Sequence, residues 1–498
     1  MIAARLALAL AAGAAQGLSI AAPWDGQPLW WLQLLSLGAL ALLVRDAPSW
    51  RQAAATGWGF AVAWLAATWW WLFISMHVYG GLAAPLAVLA VLALAGFLAL
   101  YYGAAAAVAW RWGRGGALAL AGAWLLAELM RARWFTGFPW GAGGYAHVQG
   151  PLAGLAPWVG VHGIGFAATL LAGLLAALVR PAGRRPWGAT AGVLAVAAAA
   201  AWAPAGEGAS AGRLPVALLQ GNIPQDEKFH SGTGVPQALA WYADMLRAAP
   251  ASLVVAPETA IPLLPAQLPP DYLDGIAAHF QAGPQAALVG IPLGSYAEGY
   301  TNSVVGLRPG GGAYRYDKHH LVPFGEFIPP LFRWFTDLMH IPLGDFNRGG
   351  VGQASFEWQG QRLAPNICYE DLFGEELAAR FADPARAPTV FVNVSNIGWF
   401  GNTVAIDQHL AISRMRALEF RRPVIRATNT GATAIVDHRG VVTHRLARHT
   451  RGVLAGEVEG REGLTPFARW SAAFGLWPAW GFGVAIVLLA GRRSRRVA

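Results

Sequence analysis

The 498-residue chain holds one cysteine, Cys368, and two lysines, Lys228 and Lys318, beside 34 arginines. A single thiol excludes an intramolecular disulfide framework and any zinc site built from several cysteines. Where arginine is written almost wherever a cation serves, a retained lysine marks a position suited to a compact ammonium rather than a broad guanidinium. Acid is scarce too, and unevenly spread. Residues 1–204 hold only Asp25, Asp46 and Glu128, and the remaining carboxylates fall between Glu207 and Glu462. The chain is 13% charged and 55% hydrophobic, which points to a membrane-embedded first half and a water-exposed second half.

Apolar runs of about 20 residues, the length that crosses a bilayer as a helix, fall at 4–23, 28–44, 54–76, 82–109, 116–131, 161–179, 187–204 and 471–490. They predict seven helices in a transmembrane region, residues 1–204, an outer domain over 205–470, a final helix at 471–490 and a basic tail at 491–498. With the N-terminus in the cytoplasm, the inner side receives twelve arginines, among them Arg5, Arg45, Arg51 and the C-terminal cluster. The short outer connections hold two, Arg131 and Arg133. Positively charged loops stay inside, so residues 205–470 are expected outside the cytoplasm. The opening MIAARLALALAAGAAQG also has the make-up of a signal peptide, but its removal would leave every later span oriented as before, and it is read as a retained helix. The formal charge of +9 lies largely in inner loops and the C-terminal arginines. There it signals topology and contact with anionic lipid, not nucleic acid. Glu128 is expected to pair locally with Arg131. The aromatic stretch Arg131–Gly141 fits an interfacial belt or a re-entrant lining for a lipid-accessible groove.

From Arg213 the pattern changes to short β-rich runs broken by Pro, Gly and Asn: 214–220, 252–258, 286–292, 301–308, 363–370, 389–396 and 423–430. Residues 308–315, RPGGGAYR, read as a hairpin turn. Segments 235–248, 271–282 and 403–422 have helical period, so the outer domain is expected to be α/β with buried strands. Polar residues stand at strand ends, where such folds place their chemistry: Glu258 after LVVAP, Cys368 within APNICYE, and Lys318 in YDKHH. Together they make an acyl-transfer set. A burial-raised carboxylate can take the thiol proton, a thiolate can attack a carbonyl, and an ammonium can steady the oxyanion. The adjacent His319 and His320 invite a metal reading, but neighbouring histidines rarely face one ion and no second cluster accompanies them. No metal and no cofactor are expected.

The blocks PETAIP around Glu258, YDKHHLVPFGEFIP around Lys318 and NICYED around Cys368 resemble the three signature blocks of the carbon–nitrogen hydrolase (nitrilase) superfamily, in the order Glu, Lys, Cys. With TGFPWG in the first half, QGNIPQ at 220–225, QHLAISRMRALEFRRPVIRATNTG at 408–431 and the closing helix, nearly the whole chain is similar to the membrane-embedded apolipoprotein N-acyltransferase family. That resemblance implies an α-helical membrane bundle of about eight helices plus an extracytoplasmic nitrilase-like αββα sandwich, on the periplasmic face of a bacterial inner membrane. It implies acyl transfer from a phospholipid through a Cys368 thioester to the α-amine of a diacylglyceryl-cysteine at an apolipoprotein N-terminus. By position Glu258 matches the base, Lys318 the oxyanion-stabilising lysine and Cys368 the nucleophile, with Glu326, Tyr369 and Glu370 in support. Phe229, Trp334, Phe335 and Trp399 are candidates for a lid or for substrate binding, and the apolar segment 327–341, which includes Phe332, together with 343–346 is expected to form an arm that dips into the interface. Two positions depart from the family pattern: Phe229 where a tryptophan is common, and Ile397 where an aspartate is expected. Two other readings remain at this stage, a membrane-tethered amidase with the same triad and a non-catalytic transporter or sensor on an inactive hydrolase fold.

Overall fold

The computed structural model describes residues 2–181, 185–206, 208–328 and 345–497. Most of the expected arm, including Phe332, Trp334 and Phe335, lies outside the described residues. The chain forms two compact units, one of Met1–Phe73, Ala84–Ala205 and Phe474–Ala498, the other of Ile74–Ala83 and Gly206–Ala473.

In the first unit, helices Ile2–Ile20, Trp30–Arg45, Trp50–Trp69, Ala84–Gly113, Ala117–Arg133, Ala156–Val179, Trp187–Trp202 and Trp477–Val497 stand at the eight segments expected to span. Among the described residues three helices are long and apolar enough to cross a membrane, and up to five if each of two bent pairs counts as one span. Helix contacts rely on small residues: a Cβ at Gly13 would strike the Phe60 carbonyl, and one at Gly57 the Tyr102 carbonyl. Between apolar helices in lipid, such close backbone approach supplies the attraction that water would otherwise drive.

Glu128 and Arg131 do not pair as expected. Arg131 donates from Nε to the Tyr102 hydroxyl (2.8 Å) and from Nη1 to the carbonyls of Phe138 (2.6 Å) and Trp140 (2.9 Å). Its guanidinium also lies over the rings of Trp64 and Trp69. Glu128 instead accepts from the Gly143 amide at 2.9 Å. The arginine thus satisfies two loop carbonyls in an apolar interior, and the Trp140 carbonyl accepts from Trp69 Nε1 as well, at 3.0 Å. The aromatic stretch therefore folds inward: Phe138 packs on Trp69 and Trp140 on Trp71, and within it only Arg133, Trp134 and Phe135 are exposed.

The second unit holds strands β1 (Ser210–Gln220), β2 (Leu253–Val255), β3 (Ala286–Ser295), β4 (Gly299–Leu307), β5 (Tyr314–Asp317), β6 (Phe356–Trp358), β7 (Gln361–Ile367), β8 (Val390–Ser395), β9 (Val424–Thr428), β10 (Ala434–Val436), β11 (Val442–Arg445) and β12 (Gly452–Arg461). They form two six-stranded sheets, ordered β12-β1-β2-β3-β4-β5 and β11-β10-β9-β8-β7-β6. The strands β1-β2-β3 and β7-β8-β9 run parallel at the centre of each, with antiparallel strands outside. Period-two alternation divides the side chains. Leu214, Val216 and Leu218 face Ile367, Val392, Val394 and Ile425 of the other sheet, while Ala217 and Leu219 face the layer of helices Gly234–Ala248 and Tyr272–Ala282. On the second sheet, Phe391 of β8 packs on Phe420 at the end of helix Ala405–Phe420. Helix, sheet, sheet, helix is the layering expected for the outer domain.

Gly290 of β3 ties this framework to the end of β2. A Cβ there would strike the Pro257 carbonyl and stand 2.8 Å from the Glu258 Cα. Gly290→Ala is expected to overpack the site by about 1–3 kcal/mol and, by moving Glu258, to slow turnover by roughly 10²-fold. Thermal unfolding in detergent and a turnover assay check this. Native turnover would show that the β2 end has room to spare.

Candidate functional site

Three strand ends converge within the second unit. Glu258 follows β2, Lys318 follows β5, and Cys368 follows β7 at the start of the turn Cys368–Leu372. Thr259 (φ 47°) and Cys368 (φ 53°) both take the left-handed conformation, which costs a non-glycine residue about 1–3 kcal/mol unless its surroundings hold it there. Lys318 is fixed on both sides of its backbone, donating to the Asn302 carbonyl and accepting from the Gly349 amide, each at 2.8 Å.

The side chains form one buried charged cluster. Lys318 Nζ lies 3.3 Å from Glu258 Oε1 and 2.9 Å from Glu326 Oε1. Asn302 Nδ2 donates to the same two oxygens, at 2.7 and 2.8 Å. The Asn396 amide donates to Glu258 Oε2 at 2.8 Å, and the Val322 amide to Glu326 Oε2 at 2.9 Å. Lys228 Nζ donates to the Glu258 carbonyl at 3.1 Å. Cys368 is half-buried and feels the charges of Glu258, Lys318 and Glu326. Lys318 does not pair with its neighbour Asp317, which is held instead by Arg315 at 2.7 Å.

These contacts set the protonation states. Burial pushes the Cys368 thiol up to about 12, aided by the Glu258 charge and only partly opposed by Lys318. Burial would also raise Glu258, but Lys318, Asn302, Lys228 and the Asn396 amide outweigh it and hold the carboxyl below its ordinary value. The expected raised carboxylate is thus corrected: its cation and donors win over desolvation. Burial works against the Lys318 charge too, yet Glu258 and Glu326 raise it above its ordinary value. The resting site is a neutral thiol beside an ionised carboxylate and a locked ammonium. Lys228 differs, since burial brings it down to about 7 against the opposing pull of Glu258 and Cys368.

The supporting candidates have distinct places. Glu370 Oε1 accepts from the amides of His319 (2.7 Å) and His320 (3.2 Å), and Oε2 from the Tyr316 hydroxyl and the Ile367 amide, both 2.7 Å. One carboxylate thereby clamps the Lys318 segment to the Cys368 strand. Tyr369 packs on Phe373 and His320. The two histidines face separate partners, His319 Nδ1 the Gly349 carbonyl and His320 Nδ1 the Glu376 carboxylate. Phe229 stacks on Trp399 at 6.4 Å between centroids, and Trp399 meets Tyr79 edge-on at 6.0 Å. Ile397 is 1% exposed, a depth at which an aspartate would need buried donors. Asn302, Asn396 and Lys228 were not read as site residues from the sequence. Asn302 lies in a strand whose residues Thr301–Val304 are all buried, so no alternation singles it out, and Lys228 is the other retained lysine, which was the available signal.

Residues 13–174 match the family described as apolipoprotein N-acyltransferase N-terminal domain, and residues 215–466 match carbon-nitrogen hydrolase. A protein of Verminephrobacter eiseniae named apolipoprotein N-acyltransferase is 62% identical over 95% of this chain and 93% of its own. One of Ralstonia nicotianae with the same name is 48% identical over 94% and 90%. The crystal structure of XC1258 from Xanthomonas campestris, a CN-hydrolase superfamily protein, aligns with TM-score 0.39 and 20% identity over 53% of this chain and 96% of its own.

The electrostatics separate two effects of one substitution. Glu258→Gln removes a negative charge beside the thiol, so the pH midpoint of Cys368 alkylation by iodoacetamide is expected to fall from about 12. Where Glu258 serves as the base for the thiol, the same change is expected to lower acyl-enzyme formation by about 10²–10⁴-fold. In the native protein the carboxyl is already ionised above its depressed value. In a Lys228→Met variant, which removes the amine that burial brings down to about 7, single-turnover acylation should therefore stay level as pH falls from about 8 to about 5, and a limb near neutrality there would contradict this assignment.

Proposed function

Because the chain belongs to the apolipoprotein N-acyltransferase family, we propose that it moves an acyl chain from a phospholipid through Cys368 to the N-terminal amine of a diacylglyceryl-cysteine apolipoprotein. The observation that carries the reading is the buried cluster in which a neutral thiol stands beside an ionised Glu258 and a protonated Lys318. In the first half-reaction Glu258 takes the thiol proton as sulfur attacks the ester carbonyl of the lipid. Lys318 cannot serve as that base, because two carboxylates hold it charged; its ammonium faces the developing oxyanion. The intermediate collapses with loss of the lysophospholipid alkoxide, which takes the proton from Glu258 and leaves a thioester.

In the second half-reaction the free α-amine attacks the thioester and gives a proton to Glu258. The C–S bond breaks, the thiolate recovers that proton, and the product is an amide. Glu326 shares Lys318 with Glu258 and keeps it positioned in both steps. Exclusion of water from the site favours the amine over hydrolysis. Phe229 and Trp399 form the aromatic cover on this reading, and the arm candidates Trp334 and Phe335 guide lipid.

We place residues 205–470, the catalytic domain, on the periplasmic side of a bacterial inner membrane, with seven spans before it and one after. The arginine asymmetry of the loops supports this orientation. Alkaline phosphatase fused after residue 205 should be active and fused after Arg114 inactive; the reverse pattern would overturn it. The transfer itself is tested by incubating the full-length protein with a defined phospholipid and a synthetic diacylglyceryl-cysteine peptide. The peptide is expected to gain one acyl chain in step with lysophospholipid release. Fatty acid release without peptide acylation, or ammonia release from simple amides with no need for lipid, would favour a hydrolase.

A further inference from the structure

Behind Cys368, on the side away from Glu258 and Lys318 in the hydrogen-bond pattern, lies a second buried polar network that the reaction above does not use. Its members are Asp371, Asn393, His409, Ser413 and Arg426, none more than 2% exposed. It closes on one atom, the backbone carbonyl oxygen of Cys368, which accepts from His409 Nε2 at 3.1 Å and Asn393 Nδ2 at 3.3 Å.

The hydrogen-bond chemistry fixes the state of His409. Arg426 Nη2 lies 3.1 Å from His409 Nδ1, and a guanidinium only donates, so Nδ1 must be the acceptor and the ring proton must sit on Nε2. That N–H is then shared between the Cys368 carbonyl and Asp371 Oδ1, also 3.1 Å away. Asp371 Oδ2 accepts from Ser413 Oγ at 2.5 Å and from Arg426 Nη1 at 3.1 Å, which compensates the buried guanidinium. Asn393 is oriented in turn, its Nδ2 donating to Asn366 Oδ1 at 2.7 Å. The network thus orients two donors toward one carbonyl, while Arg426 also donates to the Ala432 carbonyl and to Ser413 Oγ.

That carbonyl belongs to a residue in the left-handed conformation, a state that a cysteine relaxes from unless it is held. We propose that His409, locked as its Nε2–H tautomer by Arg426 and Asp371, is a positioning residue that with Asn393 grips the Cys368 carbonyl and so keeps the thiol directed at the Glu258–Lys318 cluster. The grip acts on backbone rather than on sulfur, and it serves both half-reactions because both pass through Cys368. It rests on the reading of Cys368 as acyl carrier.

The test uses the full-length protein in detergent with phospholipid and diacylglyceryl-cysteine peptide. His409→Leu, which removes the donor, is expected to lower kcat by roughly 10- to 100-fold at unchanged KM for phospholipid. His409→Gln, which restores an N–H at the same reach, should recover most of that loss. A full kcat in His409→Leu, or no recovery in His409→Gln when both variants unfold at the same temperature, overturns the proposal. If His409→Leu does not fold, Asn393→Ala removes the other donor and is expected to lower kcat at constant KM; an unchanged kcat again overturns it. Cys368→Ala separates the two claims, since turnover surviving in that variant would sink the acyl-carrier reading itself.

Discussion

The buried ammonium of Lys318 is the contact on which the second unit depends. It is 1% exposed, and an isolated charge so deep would cost several kcal/mol. Two carboxylates from different segments, Glu258 and Glu326, make the burial tolerable, and Asn302 bridges them. Taking away Lys318 would leave two buried carboxylates without their cation, at about 3–5 kcal/mol, whereas loss of either carboxylate still leaves Lys318 the other. The cluster is therefore a fold constraint and a chemical device at once. It draws the ends of β2 and β5 and the 322–326 turn to one point and leaves there a carboxylate already ionised and an ammonium held charged.

The sandwich supplies the opposing half. Cys368 and the Asn396 amide come from the ends of parallel strands β7 and β8 in the second sheet, while Glu258 and Lys318 come from the first. The apolar layer between the sheets, with Leu218 and Val255 against Ile367 and Val394, sets how far apart those ends lie. Glu370 adds a direct tie, since its two oxygens hold the His319–His320 amides and the Ile367 amide together. On the proposed mechanism, a thiol that burial keeps protonated does not react with whatever reaches it and needs a carbonyl placed where Glu258 can take the proton as the bond forms.

Much of this was legible in the sequence, and the exceptions have physical reasons. Strands such as Val390–Ser395 and helices such as Ala405–Phe420 follow from local period and turn residues, and the three site residues stand out as polar groups at strand ends. Local reading fails where the deciding partner is remote. Glu258 looks like a carboxyl raised by burial until Lys318, 60 residues away in the chain, is seen beside it. Glu128 and Arg131 look like a helix-end pair, because nothing local says that the loop through Phe138 and Trp140 turns inward to offer its carbonyls. Asn302, Asn396 and His409 are ordinary polar residues in the sequence, and only the crossing of strands gives them partners. The lone cysteine stands at a strand end in a left-handed backbone conformation, a feature that local sequence does not reveal.

The most direct test of this account is the intact mass of the purified protein after incubation with a defined phospholipid and no acceptor. The account predicts a gain of one acyl chain, released by neutral hydroxylamine as a thioester is, and no gain in Cys368→Ala. A folded protein that binds the lipid but stays unmodified, or an adduct that persists in Cys368→Ala, would contradict it.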